Sequence, residues 1–205
     1  LSNGGGSVTL TDADATNELQ NLSVSAAGDT LYLQNGGFVI IPGISVANTP
    51  VPPEPAIGDS YQGGIIFYLD GLGGGLIAAP TDQSTGAEWG CQGTEITGAD
   101  GTGVGTGYQN TIDIEAGCTT GGTAADICAN LTLGGYSDWF LPSHVELDLM
   151  RQNLHLEGLG GFVNNGYWSS TEDDYFFAYR IMFGTGGQAE SGKGTNLYVR
   201  AIRAF

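Results

Sequence analysis

The residues able to do chemistry are few, and their spacing keeps most of them apart. The two histidines, His144 and His155, fall on one predicted helix about three turns from each other. That is too far to meet on one metal or in one proton transfer, so each reads as an exposed helix residue. No serine stands in a strand-to-helix G-x-S-x-G elbow, and the chain has no Walker loop, no H-E-x-x-H and no C-x-x-C. Ser169 and Ser170 follow Trp168 in a predicted core strand. Glu172-Asp173-Asp174 has the composition of paired acids or a calcium ligand set, yet reads better as a solvated acidic turn. Asp12-Ala13-Asp14-Ala15-Thr16-Asn17 starts like a calcium loop but lacks the later Gly and the closing Glu. It too is taken as a polar turn. No catalytic residue, no metal and no cofactor is expected.

The three cysteines permit one disulfide and one leftover thiol. Cys91 and Cys118 stand at the two ends of a stretch, residues 89–122, that is nearly all Gly, Thr and Ala and has almost no apolar anchor. A bridge between them would clip this long loop. Cys118 with Cys128 is the other pairing considered. Cys128 lies on the apolar face of a predicted helix, where a thiol behaves as a small hydrophobe. A structural disulfide implies an oxidising, extracellular setting.

The elements that hold these residues are short. Tyr61 to Leu69 and Gly75 to Ala79 predict a hairpin across an Asp-Gly-rich turn. Thr123-Ala124-Ala125-Asp126 opens a helix, with Ala124, Ile127, Cys128 and Leu131 on one face and Gly134-Gly135 at its end. A second helix starts at Ser143 with Glu146 three residues on, a full capping box, and Leu147, Met150 and Leu154 form its buried stripe. Gly166-Tyr167-Trp168-Ser169-Ser170-Thr171-Glu172 and the closing Tyr198 to Phe205 read as strands. Between them run Asp173 to Met182 and a polar, Gly-rich segment whose side chains do not look chosen for folding.

Composition narrows the partners. The chain carries 22 acidic and 5 basic residues for a net charge of −17, and all five bases (Arg151, Arg180, Lys193, Arg200, Arg203) lie in the last third. Binding to nucleic acid needs clustered Lys and Arg, so it is excluded. Sulfated polysaccharides and anionic membranes are disfavoured by the same charge. No apolar run approaches the roughly 20 residues that span a bilayer, so membrane insertion is not expected.

Residues 1–49 form a separate region. Leu1-Ser2-Asn3-Gly4-Gly5-Gly6 is echoed about 32 residues later by Leu33-Gln34-Asn35-Gly36-Gly37, and Leu19 to Ser25 and Leu31 to Leu33 alternate as short strands. So short a β-repeat cannot bury a core alone, so it is expected to stack or oligomerise. It resembles the repeats of fibre-like bacterial and phage surface proteins, which implies a homotrimeric stalk. Leu1 opens inside the repeat, so a longer protein is expected. Residues 50–55, rich in proline, predict a stiff linker, and 56–205 a second domain.

Gly134-Gly135-Tyr136-Ser137-Asp138-Trp139-Phe140-Leu141-Pro142-Ser143 with Glu146-Leu147, then Tyr167-Trp168-Ser169-Ser170-Thr171, Ala178, Phe183-Gly184 and Val199-Arg200-Ala201-Ile202-Arg203-Ala204-Phe205, resembles the signature of the collagen-like-adhesin C-terminal domain family. The resemblance covers about residues 60–205. It implies an α+β, C-type-lectin-like fold with a mixed twisted sheet, two helices and long loops. Some similar domains are the variable proteins of diversity-generating retroelements. Matching their pattern, the diversified-like positions here are Asp173, Asp174, Tyr175, Phe176, Tyr179, Arg180, Met182, Glu190, Ser191, Asn196 and Tyr198, with Trp168, Ala178, Phe183 and Arg200 as frame. The carboxylate–amide pairs of calcium-dependent lectins and the cysteine arrangement of the formylglycine-generating enzyme are not matched.

These observations lead to an extracellular receptor-binding or adhesin tip of a trimeric fibre, binding a cell-surface protein or glycan and not acting as an enzyme. The alternatives are a structural cap of a fibre and an enzyme of the formylglycine-generating fold group acting on a cell-surface component. The expected ligand contacts are Tyr175, Phe176, Tyr179, Arg180 and Met182, with Glu190, Asn196 and Tyr198 at the rim. Strand alternation predicts that one of Phe176 and Phe177 faces the core.

Overall fold

The structure, a computed structural model, describes residues 54–205 and three short strands before them, and the chain divides into the units Leu1–Pro53 and Glu54–Phe205. In the first unit, β1 (Leu22–Val24), β2 (Thr30–Leu33) and β3 (Phe38–Ile40) form an antiparallel sheet in the order β1-β2-β3. The calcium-like stretch 12–17 and the prolines of 50–53 lie outside the described residues.

The second unit is a mixed α+β structure with two sheets. Its first hairpin runs from β4 (Ser60–Tyr61) through β5 (Gly64–Leu69) to β6 (Gly75–Ala78), where the predicted hairpin lies. Asp70 holds the turn, its Oδ1 accepting from the N–H groups of Leu72 at 2.7 Å and Gly74 at 3.0 Å. Then come β7 (Ser84–Ala87), α1 (Gly107–Gly117), α2 (Ala124–Ala129) and α3 (His144–Met150), which continues as a π-helical turn over Arg151–His155. The chain closes with β8 (Gly166–Glu172), β9 (Phe177–Met182), β10 (Gln188–Gly192), β11 (Leu197–Val199) and β12 (Ile202–Ala204). One sheet has the order β12-β6-β5-β4 and the other β10-β9-β8-β11-β7, all neighbours antiparallel except β8 and β11.

The strands β8 and β6 are buried on both faces, which explains why they alternate so poorly. Ile66, Ile77, Trp168 and Val199 join one core with Trp89, Trp139, α1 and α2. Phe67, Leu76, Tyr167 and Ile181 join another with Leu147, Met150, Leu154 and Phe183. The three buried tryptophans each satisfy their ring N–H with a carbonyl: Trp89 to Ser169, Trp139 to Leu133 and Trp168 to Ala87. A buried indole donor left unpaired would cost about 1–3 kcal/mol.

Three expectations need correction. Residues 89–122 are not an unanchored loop: they contain α1 and bury Ile96, Ala99 and Ile114. Helix α1 has no apolar stripe for a periodicity to reveal. Polar bonds fix it instead, with Asn110 bonded to Gly101 and Ser170 and Thr111 Oγ1 accepting from Leu141 N–H at 3.0 Å. Helix α2 starts at Thr123 as predicted, but ends at Ala129 and not at Gly134-Gly135. Those glycines, at φ +64° and +86°, make the tight turn of a Leu133–Tyr136 bridge. A Cβ on Gly63 would lie 2.8 Å from the Gly134 backbone, so two turns meet there main chain to main chain. The last predicted strand also breaks, at Arg200-Ala201, and its two halves serve different sheets.

The predicted disulfide is present: Cys91 and Cys118 are bridged and Cys128 is a free, buried thiol. Burial pushes that thiol far above its ordinary pKa. Among the described residues no helix is long and apolar enough to cross a membrane.

Candidate functional site

The β8–β9 turn, residues 173–176, has most of its backbone committed to neighbours. Asp174 Oδ1 accepts from Phe176 N–H at 2.7 Å and Phe177 N–H at 2.8 Å. Phe177 C=O accepts from Asp173 and Asp174. Tyr175 C=O accepts from Gly93 N–H at 2.7 Å, and Phe176 C=O from Lys193 N–H at 2.9 Å. A backbone so committed has little left to bond, and the side chains point out: Tyr175 is 51% exposed, Phe176 42% and Phe177 44%. Tyr175 and Phe176 touch edge to face at 4.8 Å. The expectation that one of Phe176 and Phe177 turns inward fails. Alternation counts from the start of a strand, and 173–176 is a turn, so Ala178 and not a phenylalanine takes the first core position.

Beneath this tip lies a buried ion pair that also corrects the sequence reading. Glu172 is not part of a solvated acidic turn. Its carboxylate accepts from Ile96 N–H at both oxygens, 3.0 and 2.9 Å, and pairs with Lys193. Lys193 is fully buried, donates to Thr94 C=O at 2.8 Å and sits 4.7 Å from the Trp89 ring centre. Lys193 C=O accepts from Trp89 and Gly90, the two residues before Cys91. The chain's one lysine sits between Gly192 and Gly194 in a polar run, and that setting gave no sign of burial. Apolar neighbours, the usual signal of a core position, are missing there.

The remaining expected contacts divide between two faces. Tyr179 pairs with Glu190 across β9 and β10, whereas Arg180 pairs with Ala189 and with Trp168. Successive strand residues point to opposite faces. On the Tyr179 face, the phenol donates to Asp173 Oδ1 at 2.9 Å and the ring lies 5.1 Å from His144. The bond to Asp173, then partial burial, holds the Tyr179 pKa above the ordinary phenol value. His144 Nε2 shares a hydrogen bond with Gln188 Oε1 at 2.7 Å. Tyr198, opposite Tyr167, packs over the aromatic core on this same face. On the other face Arg180 and Met182 lie near Gly166 and Leu197. Asn196 is exposed on the turn before β11.

Neither histidine is the exposed helix residue expected. Both are half-buried, His144 against Tyr179 and His155 against Phe183 at 5.3 Å. Among the described residues no group of three or more His, Cys, Asp and Glu side chains is placed to hold a metal. The chain matches no protein-family model and no curated protein sequence.

Proposed function

We propose that this chain is the receptor-binding tip of a trimeric, extracellular fibre, and that it binds a cell-surface protein or glycan and catalyses nothing. In this reading residues 56–205 are a C-type-lectin-like ligand-binding domain of the collagen-like-adhesin C-terminal family, residues 1–49 are its oligomerising stalk, and 50–55 a stiff linker. The observation that carries it is the run Tyr175-Phe176-Phe177: three neighbouring aromatic side chains held out on a braced backbone. Contiguous exposed apolar surface favours aggregation unless a partner covers it. Aromatic side chains also supply large contact area at small ordering cost. Tyr179, Glu190 and Asn196 extend the surface, and three copies on one fibre would add avidity.

The test is a triple substitution, Tyr175→Ser, Phe176→Ser and Phe177→Ser, in the whole chain. Binding to intact target cells should fall at least about tenfold, since central aromatic contacts are worth about 2 kcal/mol or more each. The melting temperature should stay within a few degrees of wild type. Binding that survives the substitution overturns the reading.

A further inference from the structure

In a chain with 22 acids and 5 bases, every cation has carboxylates to choose from. Three are taken: Lys193 by Glu172, Arg200 by Asp82 and Arg203 by Asp138. Arg151 donates to Phe183 C=O at 2.8 Å and lies against the turn glycine Gly186. Arg180 is different. It is half-buried on β9, an inner strand of the five-stranded sheet, and like Arg151 it has no carboxylate of the described residues within ion-pair distance. Its Nε donates to Ser191 Oγ at 2.5 Å, while its Nη1 is hidden from solvent and meets no acceptor. A buried guanidinium nitrogen without an acceptor is costly.

The surroundings of Arg180 are shaped as well as unpaired. A Cβ on Gly166 would stand 3.7 Å from Arg180 Cδ, 3.2 Å from Met182 Sδ and 3.1 Å from Leu197 Cδ2. The bare glycine therefore lets the half-buried side chains of Met182 and Leu197 close in, with the arginine stem at ordinary contact distance beside them. Met182, unbranched and adaptable, can move aside without strain. Ser191 accepts from Nε and keeps its own hydroxyl proton free to give.

Resting on the proposed binding role of this domain, we propose that Arg180 is a receptor for a carboxylate, carried by an acidic peptide segment of the partner and flanked by apolar residues. A planar carboxylate fits the planar guanidinium fork, and Ser191 adds a third donor. Met182 and Leu197 suit an apolar flank better than a sugar ring, which would want an open aromatic face. The net charge of −17 does not forbid this. At physiological ionic strength the field of distant acids is screened beyond about 8 Å, while a contact pair is not. Sulfate and phosphate bring no apolar flank to meet Met182 and Leu197, so the peptide carboxylate is favoured over them.

The full chain labelled with nitrogen-15 gives separate arginine Nε–H signals, and Arg180→Lys identifies the one to follow. The probe is the peptide acetyl-Leu-Glu-Leu-amide, with its Gln counterpart, glucuronic acid and inorganic sulfate as comparisons. The Arg180 signal should move saturably with the Glu peptide and at least about tenfold more weakly with the Gln peptide, while Arg200 and Arg203, already paired, stay still. Arg180→Lys should weaken binding severalfold and Arg180→Met abolish it. The tip variant at Tyr175, Phe176 and Phe177 should keep the Arg180 response, which separates a failure here from a failure of the tip reading. No saturable movement, or an equal response to the Gln peptide or to sulfate, overturns the proposal. Saturation with glucuronic acid and not with the Glu peptide overturns the peptide source.

Discussion

Glu146 shows how one residue can be both a device of folding and a load on it. Its carboxylate is fully buried and accepts from Ser143 N–H and Gly105 N–H, each at 2.7 Å. Ser143 Oγ in turn donates to Gly103 C=O at 2.8 Å, so one capping box ties the start of α3 to the loop before α1. Burial raises the Glu146 pKa, and the donated hydrogen bonds from Ser143, Gly105 and Gly107 only partly lower it again. Folding therefore binds this proton more tightly than the unfolded chain does. The contribution is full below the unfolded carboxylate value, about 4.3, and is lost as pH rises through the higher folded value. Urea unfolding across that window should show stability falling with pH in wild type. Glu146→Gln should flatten that limb, whatever it does to absolute stability. Ser143 and Glu146 were legible in the sequence because a capping box is local. The Glu172–Lys193 pair was not, because its members are 21 residues apart and nothing near either one predicts the other.

The elements differ in how far their own residues specify them. Helix α3 announces itself through its cap and its stripe of Leu147, Met150 and Leu154. The strands β5, β6 and β8 are visible through β-branched and aromatic residues. Helix α1 is not visible: Gly107, Thr111 and Gly117 are weak helix formers, and what orders them is β8 and α2 beside them, with the Glu146 cap of α3 at its start. The disulfide across this region spans 27 residues in sequence. By loop-closure entropy, replacing Cys91 and Cys118 together by serine should cost about 3–4 kcal/mol. For a protein of this size that is roughly a 6–16 °C fall in melting temperature, measurable by calorimetry. A fall of less than a degree or two would mean that the polar bonds of α1 hold the region unaided. The β9–β10 arrangement explains why the expected contacts split. A sequence presents Tyr179 and Arg180 as neighbours, while a strand sends them to opposite faces.

At the scale of the whole molecule, charge is partitioned. Lys193, Arg200 and Arg203 are buried in pairs, whereas Glu95, Asp100, Asp173 and Glu190 are exposed. The surface of Glu54–Phe205 is therefore strongly anionic, which favours solubility and keeps free copies apart. For the proposed fibre, association must come from residues 1–49. Light scattering at micromolar concentration should give three times the chain mass for the full chain and a single chain mass after removal of residues 1–53. A monomeric full chain would end the trimer proposal. The bracing of the tip has a mechanical side as well. Tension applied at Tyr175 or Phe176 would not peel β8 from β9 one rung at a time. It would pass through Gly93 and Lys193 into the segment closed by the Cys91–Cys118 bridge, and through Glu172 into Ile96. The pull is shared among anchors far apart in sequence, so the tip would yield late and all at once.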